Sequence, residues 1–78
     1  MGDPRLASRL KEARTAAGLT QADLAEKAGV SRKTINTVEN GVFIPSTILA
    51  LSLARALGAR VEDLFWLQDE GHLADPRS

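Results

Sequence analysis

The chain of 78 residues contains no cysteine, no tyrosine and only one histidine. Without cysteine it can form neither disulfides nor thiolate metal sites, and a single histidine provides no cluster with metal-ligand spacing. A domain of this length buries only about 60% of its unfolded surface, so it depends on efficient helix packing or on association for stability. The sequence therefore predicts no metal site and no cofactor.

Long apolar runs are also missing. No stretch approaches the roughly 18 to 20 apolar residues of a membrane span. The first residues, Met1 to Arg5, lack the apolar core of a signal peptide. We therefore expect a soluble, cytoplasmic protein with no membrane partner.

Neither sign of charge is in excess, since ten basic residues balance ten acidic ones. Nucleic-acid binders usually carry a positive field, which this chain lacks as a whole. The charge is nevertheless polarised: residues 1–40 hold seven basic and five acidic side chains, and residues 41–78 hold three basic and five acidic ones. Any contact with nucleic acid is expected to depend on a few placed residues.

Catalytic constellations are missing as well. The sequence has no credible carboxylate pair, no Gly-rich phosphate loop and no Ser-His or Cys-His arrangement. His72 has no partner ligands nearby in sequence, and the acidic pair Asp69-Glu70 is typical of a solvated segment. The sequence predicts a protein that is not an enzyme.

Helical periodicity covers most of the chain. The predicted helices span about residues 4–17, 21–28, 31–39, 46–57 and 61–66. Asp3, Thr20, Ser31 and Ser46 are the predicted N-caps of the first four, which end at glycines or at an Asn-Gly pair. The predicted fold class is all-α, a compact bundle of four to five short helices. One domain is expected over residues 1–66, followed by a polar, mobile tail of residues 67–78.

The stretch from Leu19 to Gly41, LTQADLAEKAGVSRKTINTVENG, contains two short helices around a Gly-Val-Ser break. Ala25 is small enough for close helix approach, and Gly29 can adopt a positive φ. This pattern predicts a helix-turn-helix. The third predicted helix carries seven polar residues, with only Ile35 and Val38 to anchor it. Its free face has the size to enter a major groove about 12 Å wide.

With the IPS and LARALG…VEDLF that follow, this stretch resembles the lambda-repressor and Cro-like helix-turn-helix family, also called the xenobiotic-response-element family. The resemblance covers about Leu6 to Phe65. Its motifs in register are Thr20-Gln21, Leu24-Ala25, Gly29-Val30-Ser31, Ile35, Glu39-Asn40-Gly41 and Pro45. It implies a sequence-specific transcriptional regulator whose partner is double-stranded DNA.

The same resemblance implies roles for individual side chains. Arg32, Lys33 and Thr37 would read bases, since Arg or Lys suits guanine O6 and N7 and a threonine methyl suits thymine. Residues implied to contact the DNA backbone are Gln21, Ser31, Thr34, Asn36 and Asn40, together with the main chain of residues 41–44. Arg14 would form a partly buried bridge with Glu39. Read without the resemblance, these residues are helix caps and ordinary surface side chains.

One set of residues departs from the family pattern. Ile48 and Leu51 lie off the core stripe of the fourth helix, and Trp66 and Leu67 follow the fifth. Exposed apolar residues on a small domain indicate a partner surface, so these four are the predicted interface of a homodimer. Residues 65–68 are expected to extend and pair with the same residues of the partner. The alternative is that the tail folds back and covers the four residues within one chain.

Two other functions remain open at this stage. The same fold could serve as an antitoxin that also neutralises a toxin protein, or as a protein-interaction module that does not bind DNA. The chain could also be the first part of a longer protein.

Overall fold

The computed structural model describes residues 3–68. Five helices and two short strands follow one another in the order β1 (Leu6–Ser8), α1 (Leu10–Ala16), α2 (Gln21–Ala28), α3 (Arg32–Glu39), α4 (Thr47–Leu57), α5 (Val61–Leu64) and β2 (Phe65–Leu67). The predicted helical fold class is confirmed, with a small two-stranded sheet added. His72, the acidic pair and the tail beyond Gln68 lie outside the described residues.

The predicted start of the first helix is wrong. α1 begins at Leu10, six residues later than expected, and Leu6–Ser8 form a strand instead. This strand pairs antiparallel with β2, with Leu6 opposite Leu67. Asp3 does not cap a helix; its carboxylate accepts a hydrogen bond from the Arg5 backbone N–H at 2.9 Å. Pairing with a distant segment overrides the local helical pattern here.

The end of the fifth helix is also shorter than predicted. α5 stops at Leu64, and the next three residues are extended rather than helical. The expectation of an extended segment at residues 65–68 is met, but its partner in the structure is β1 of the same chain. Beyond β2, the Gln68 backbone N–H donates to the Arg5 carbonyl at 2.6 Å, which ties the end of the described chain to its beginning.

The helices between these ends start at their predicted caps. The Thr20 hydroxyl accepts from the Asp23 N–H, and the Asp23 carboxylate accepts from the Thr20 N–H, which forms a capping box. Ser31 and Ser46 accept from backbone N–H groups in the first turns of α3 and α4. Helices three and four therefore begin one residue after the predicted positions.

One apolar core joins all five helices. Its fully buried side chains are Leu10, Leu24, Ile35, Leu53 and Leu64, one from each helix. α2 packs against both α3 and α4, so α3 lies at the edge of the bundle with one face uncovered. Within residues 3–68 no helix is long and apolar enough to cross a membrane, and no group of His, Cys, Asp and Glu side chains there could hold a metal ion.

Candidate nucleic-acid interface

The turn between α2 and α3 sets the position of α3. Gly29 ends α2 with a φ of 75°, which a glycine adopts without strain. The Val30 N–H donates to the Ala25 carbonyl at 3.0 Å and closes the turn. The chain therefore leaves α2 in a fixed direction, and α3 begins two residues later at Arg32.

α3 has two different faces. Ile35 and Val38 are buried and attach the helix to the core. Arg32, Lys33 and Asn36 are exposed on the other side. The helix thus presents a polar face that its own domain does not cover.

Four of the predicted DNA-contacting residues come together on this side. Gln21, Arg32, Lys33 and Asn36 line one shallow, open polar groove between the start of α2 and the first turns of α3; we call this set the recognition surface. Within residues 3–68, neither Arg32 nor Lys33 forms a salt bridge. Two unpaired cations thus stand beside two amide side chains.

A buried ion pair contacts this surface through the Gln21 side chain. Arg14 Nε donates to Glu39 Oε2 at 2.6 Å, and the second guanidinium nitrogen Nη2 lies 3.3 Å from Oε1. Arg14 also donates to the Leu19 carbonyl at 2.9 Å. The Glu39 side chain is 2% exposed and that of Arg14 10%. The hydrogen bond with Glu39 raises the pKa of Arg14 above its ordinary value, and the pair joins α1 to the end of α3.

Three amide side chains extend from this ion pair toward the surface. Gln21 Nε2 donates to Glu39 Oε1 at 3.1 Å and to Asn36 Oδ1 at 3.2 Å. Asn40 Nδ2 donates to the same Asn36 oxygen at 3.2 Å. We call Glu39, Gln21, Asn36 and Asn40 the amide network. It connects the buried carboxylate to the exposed middle of α3.

The hydroxyl side chains of α3 are engaged within the helix. Ser31 Oγ accepts from the Thr34 N–H at 3.1 Å and lies 2.9 Å from the Thr34 hydroxyl. The Thr37 hydroxyl donates to the Thr34 carbonyl at 3.0 Å. This bond leaves the Thr37 methyl as the group available for an apolar contact.

The first turn of α2 has free backbone donors. The N–H groups of Gln21 and Ala22 have no acceptor among residues 3–68. A helix N-terminus carries a partial positive charge and binds anions such as phosphate. This turn borders the recognition surface through Gln21.

Four exposed apolar side chains lie on elements other than α3, two on α4 and two on β2. Ile48, Leu51, Trp66 and Leu67, which we call the apolar surface, are 78%, 56%, 39% and 73% exposed. Three of them are thus more than half exposed, whereas Trp66 is partly covered. Ile48 and Leu51 share one shallow depression, and Leu51 also borders an apolar groove of about 310 Å³ that Phe65 lines. Trp66 and Leu67 follow on β2, and the Arg9 guanidinium lies 5.2 Å from the centre of the Trp66 ring.

Two features were missed at the level of sequence. The loop after α3 exposes three consecutive apolar side chains, Val42, Phe43 and Ile44, although only backbone contacts were predicted there. The signal was present, since an apolar triplet in a loop needs an explanation. The bond between Gln21 and Glu39 was also missed, and no local pattern pairs two residues this far apart.

Comparison with known proteins places this geometry in context. A family model described as helix-turn-helix matches residues 10–64. The chain is 40% identical over 63 residues to YgzD, named as an uncharacterized HTH-type transcriptional regulator of Bacillus subtilis, covering 81% of this chain and 96% of that protein. It is 49% identical over 63 residues to an uncharacterized HTH-type transcriptional regulator of Methanothermobacter thermautotrophicus, with coverages of 80% and 91%.

Two solved structures of regulatory proteins are also similar to this chain. The restriction-modification controller protein C.AhdI from Aeromonas hydrophila superposes with a TM-score of 0.69 at 40% identity, over 70% of this chain and 83% of that chain. The clp gene regulator ClgR from Corynebacterium glutamicum superposes with a TM-score of 0.66 at 37% identity, over 69% of this chain and 57% of that one.

Proposed function

This chain belongs to the lambda-repressor and Cro-like helix-turn-helix family, and two similar proteins are named HTH-type transcriptional regulators. From that premise we propose that it is a sequence-specific DNA-binding regulator acting as a homodimer on a pseudo-palindromic operator. The observation that carries the proposal is the recognition surface. It offers two unpaired cations on the free face of α3, next to the free N-terminus of α2.

Base reading is assigned to Arg32, Lys33 and Thr37. The two cations stand on the first turn of α3 and suit guanine O6 and N7. The Thr37 hydroxyl is bonded within the helix, which supports an apolar contact of its methyl with a thymine methyl. Residues from the start of a presented helix reach base edges first, as in other helix-turn-helix proteins.

Backbone contacts position the helix in the groove. The free N–H groups at the start of α2, at Gln21, suit one phosphate. Asn40 supplies a second contact near the end of α3. Ser31 and Thr34 are bonded to each other, so we assign them to phosphate through a bound water or through a rotated hydroxyl.

Dimerisation is assigned to the apolar surface. One short helix reads only a few base pairs, whereas two copies related by a two-fold axis read an inverted repeat. The exposure of Ile48, Leu51, Trp66 and Leu67 supports an interface built from α4 and β2, which would leave α3 free. In such a dimer the two α3 helices would lie about 34 to 36 Å apart, one turn of DNA.

The experiment that tests the function is selection of bound sites from a random DNA library. The proposal expects enriched inverted repeats whose half-sites are one helical turn apart and contain guanine. Affinity for the selected site should fall as salt rises, with a modest slope because few cations are available. A library with no enriched sequence, or binding without any salt dependence, would contradict the proposal and favour a protein-interaction module.

A further inference from the structure

The buried carboxylate of Glu39 decides which way the amide side chains above it are turned. A carboxylate facing a guanidinium only accepts hydrogen bonds, so the Gln21 atom 3.1 Å from it must be the amino nitrogen Nε2. The second hydrogen of that nitrogen is directed at Asn36, 3.2 Å away. The Asn36 atom that faces Gln21 must therefore be its oxygen.

Asn40 adds a second constraint on the same oxygen. Its Nδ2 donates to Asn36 Oδ1 at 3.2 Å, so both lone pairs of that oxygen are in use. Turning the Asn36 amide over would place its amino group against the Gln21 donor and lose that bond. The Asn36 side chain is thus held in one orientation by a chain of contacts that begins at Arg14 and Glu39.

The exposed edge of Asn36 is consequently a donor. Within residues 3–68, no acceptor for its Nδ2 hydrogens is found. The residue is exposed and lines the groove beside Arg32 and Lys33. A free asparagine recognises adenine by accepting from N6 and donating to N7 at once. Asn36 has no free oxygen with which to make that pair.

We propose that the Asn36 Nδ2 group donates to an acceptor atom of the DNA: N7 of a purine, guanine O6, thymine O4 or a phosphate oxygen. Asn36 determines sequence specificity if that atom belongs to a base. Gln21 and Glu39 act on it as positioning residues. The inference rests on the proposed function, because it names the chemistry of one contact within the same surface. It also excludes a bidentate pair between Asn36 and adenine.

The test is a double-mutant cycle on the selected operator, in which one change is made in the protein and the other at one atom of the DNA. Each purine is replaced by an analogue that lacks N7. Each guanine, thymine and adenine is replaced by an analogue that lacks O6, O4 and the N6 amino group, respectively, and each phosphate by a neutral methylphosphonate. At one atom the wild type should lose about tenfold in affinity, and Asn36→Ala should show no further loss there. The base analogues and the methylphosphonates distinguish a base contact from a phosphate contact.

Gln21→Met tests the positioning role. Methionine keeps the length of the side chain but donates to neither Glu39 nor Asn36, so the Asn36 amide is free to turn over. The tenfold penalty at the identified atom should fall to about twofold or less. The melting temperature should stay near that of Ala16→Met, a control at an exposed position outside the network. A purely structural role for Gln21 would lower the melting temperature and leave the penalty at that atom unchanged.

The outcomes are separable. If the wild type selects a site but no DNA atom loses its penalty in Asn36→Ala, the proposed function stands and this inference is overturned. If the coupled atom is the adenine N6 donor, the deduced orientation is overturned. If the wild type selects no sequence at all, the proposed function fails and the inference fails with it.

Discussion

The recognition surface and the apolar surface are both exposed, but they differ in the contacts that their side chains make within the chain. The amide network ties Gln21 and Asn36 of the first to each other and to a buried ion pair of the same chain. The second leaves Ile48, Leu51 and Leu67 more than half exposed, without any cover among the described residues. Part of the recognition surface is therefore held by hydrogen bonds within one chain, whereas most of the apolar surface is left exposed.

This difference bears on two proposed properties of the protein, which are the binding of DNA and the association of two copies. Polar groups that are already hydrogen-bonded in the free protein lose less freedom when DNA binds, because their positions are set beforehand. Exposed apolar side chains gain from being removed from water, at roughly 25 cal/mol per Å². Under the proposed function, one protomer would carry the preformed side chains that contact DNA, and the assembly of the dimer would depend on a second copy.

The largest effect is expected from breaking the support of the recognition surface. Glu39→Ala leaves the Arg14 charge buried and unpaired and removes the acceptor that holds Gln21. Removing one partner of a buried pair costs about 3 to 5 kcal/mol. The free energy of unfolding, measured by urea denaturation, should fall by this amount.

Glu26→Ala is the matched control for this prediction. Glu26 is an exposed glutamate on α2 outside the amide network, so its removal should change the free energy of unfolding by no more than about 0.5 kcal/mol. Equal stabilities for the two variants would show that the ion pair does not support the surface.

A smaller effect is expected from removing one cation of the recognition surface while the Arg14–Glu39 ion pair stays intact. Arg32→Ala or Lys33→Ala should cost about 1 to 3 kcal/mol of binding free energy on the selected operator and relax the preference at particular base pairs. Both side chains are exposed, so urea unfolding should hardly change. Fluorescence titration measures the affinity, with Lys27→Ala as a control cation on α2. A variant that binds as well as wild type would show that its residue does not read a base.

The smallest effect concerns the cap from which Gln21 projects. Hydrogen bonds with Thr20, first of all from its backbone N–H, hold the pKa of Asp23 below its ordinary value. Because the folded pKa is lowered, the cap stabilises the fold fully above about pH 4, the pKa of a free Asp, and this stabilisation is lost as pH falls through the folded pKa. Asp23→Asn should therefore lose less stability than wild type between about pH 4 and pH 2 in urea titrations. Parallel pH profiles for the two proteins would contradict this assignment.

Local chemistry explains which parts of the fold were predictable. Thr20, Ser31 and Ser46 cap the helices that they were predicted to start, and Gly29 takes the positive φ expected at the turn. These features depend on residues within one turn of each other. The recognition surface was predicted for the same reason, since most of its residues lie on one short helix.

The remaining features depend on contacts between distant residues. Leu6 fits a helical spacing with Leu10, but its backbone pairs with Leu67 at the other end of the chain. Gln21 and Glu39 meet only because α2 packs on α3. No periodicity in a single segment contains that information, so β1 and the amide network became visible only in three dimensions.

One variant tests directly whether DNA contact and dimerisation depend on different surfaces. Its affinity is measured on two DNAs, a single half-site and the full inverted repeat. Ile48→Glu combined with Trp66→Glu places charges on the apolar surface only, and sedimentation should show a monomer. We expect this variant to bind a single half-site with the affinity of wild type, within about twofold, and to lose about 100-fold on the full inverted repeat, where two linked protomers act together. A folded variant that still dimerises, or that loses half-site binding as strongly as full-site binding, would contradict the division between the two surfaces.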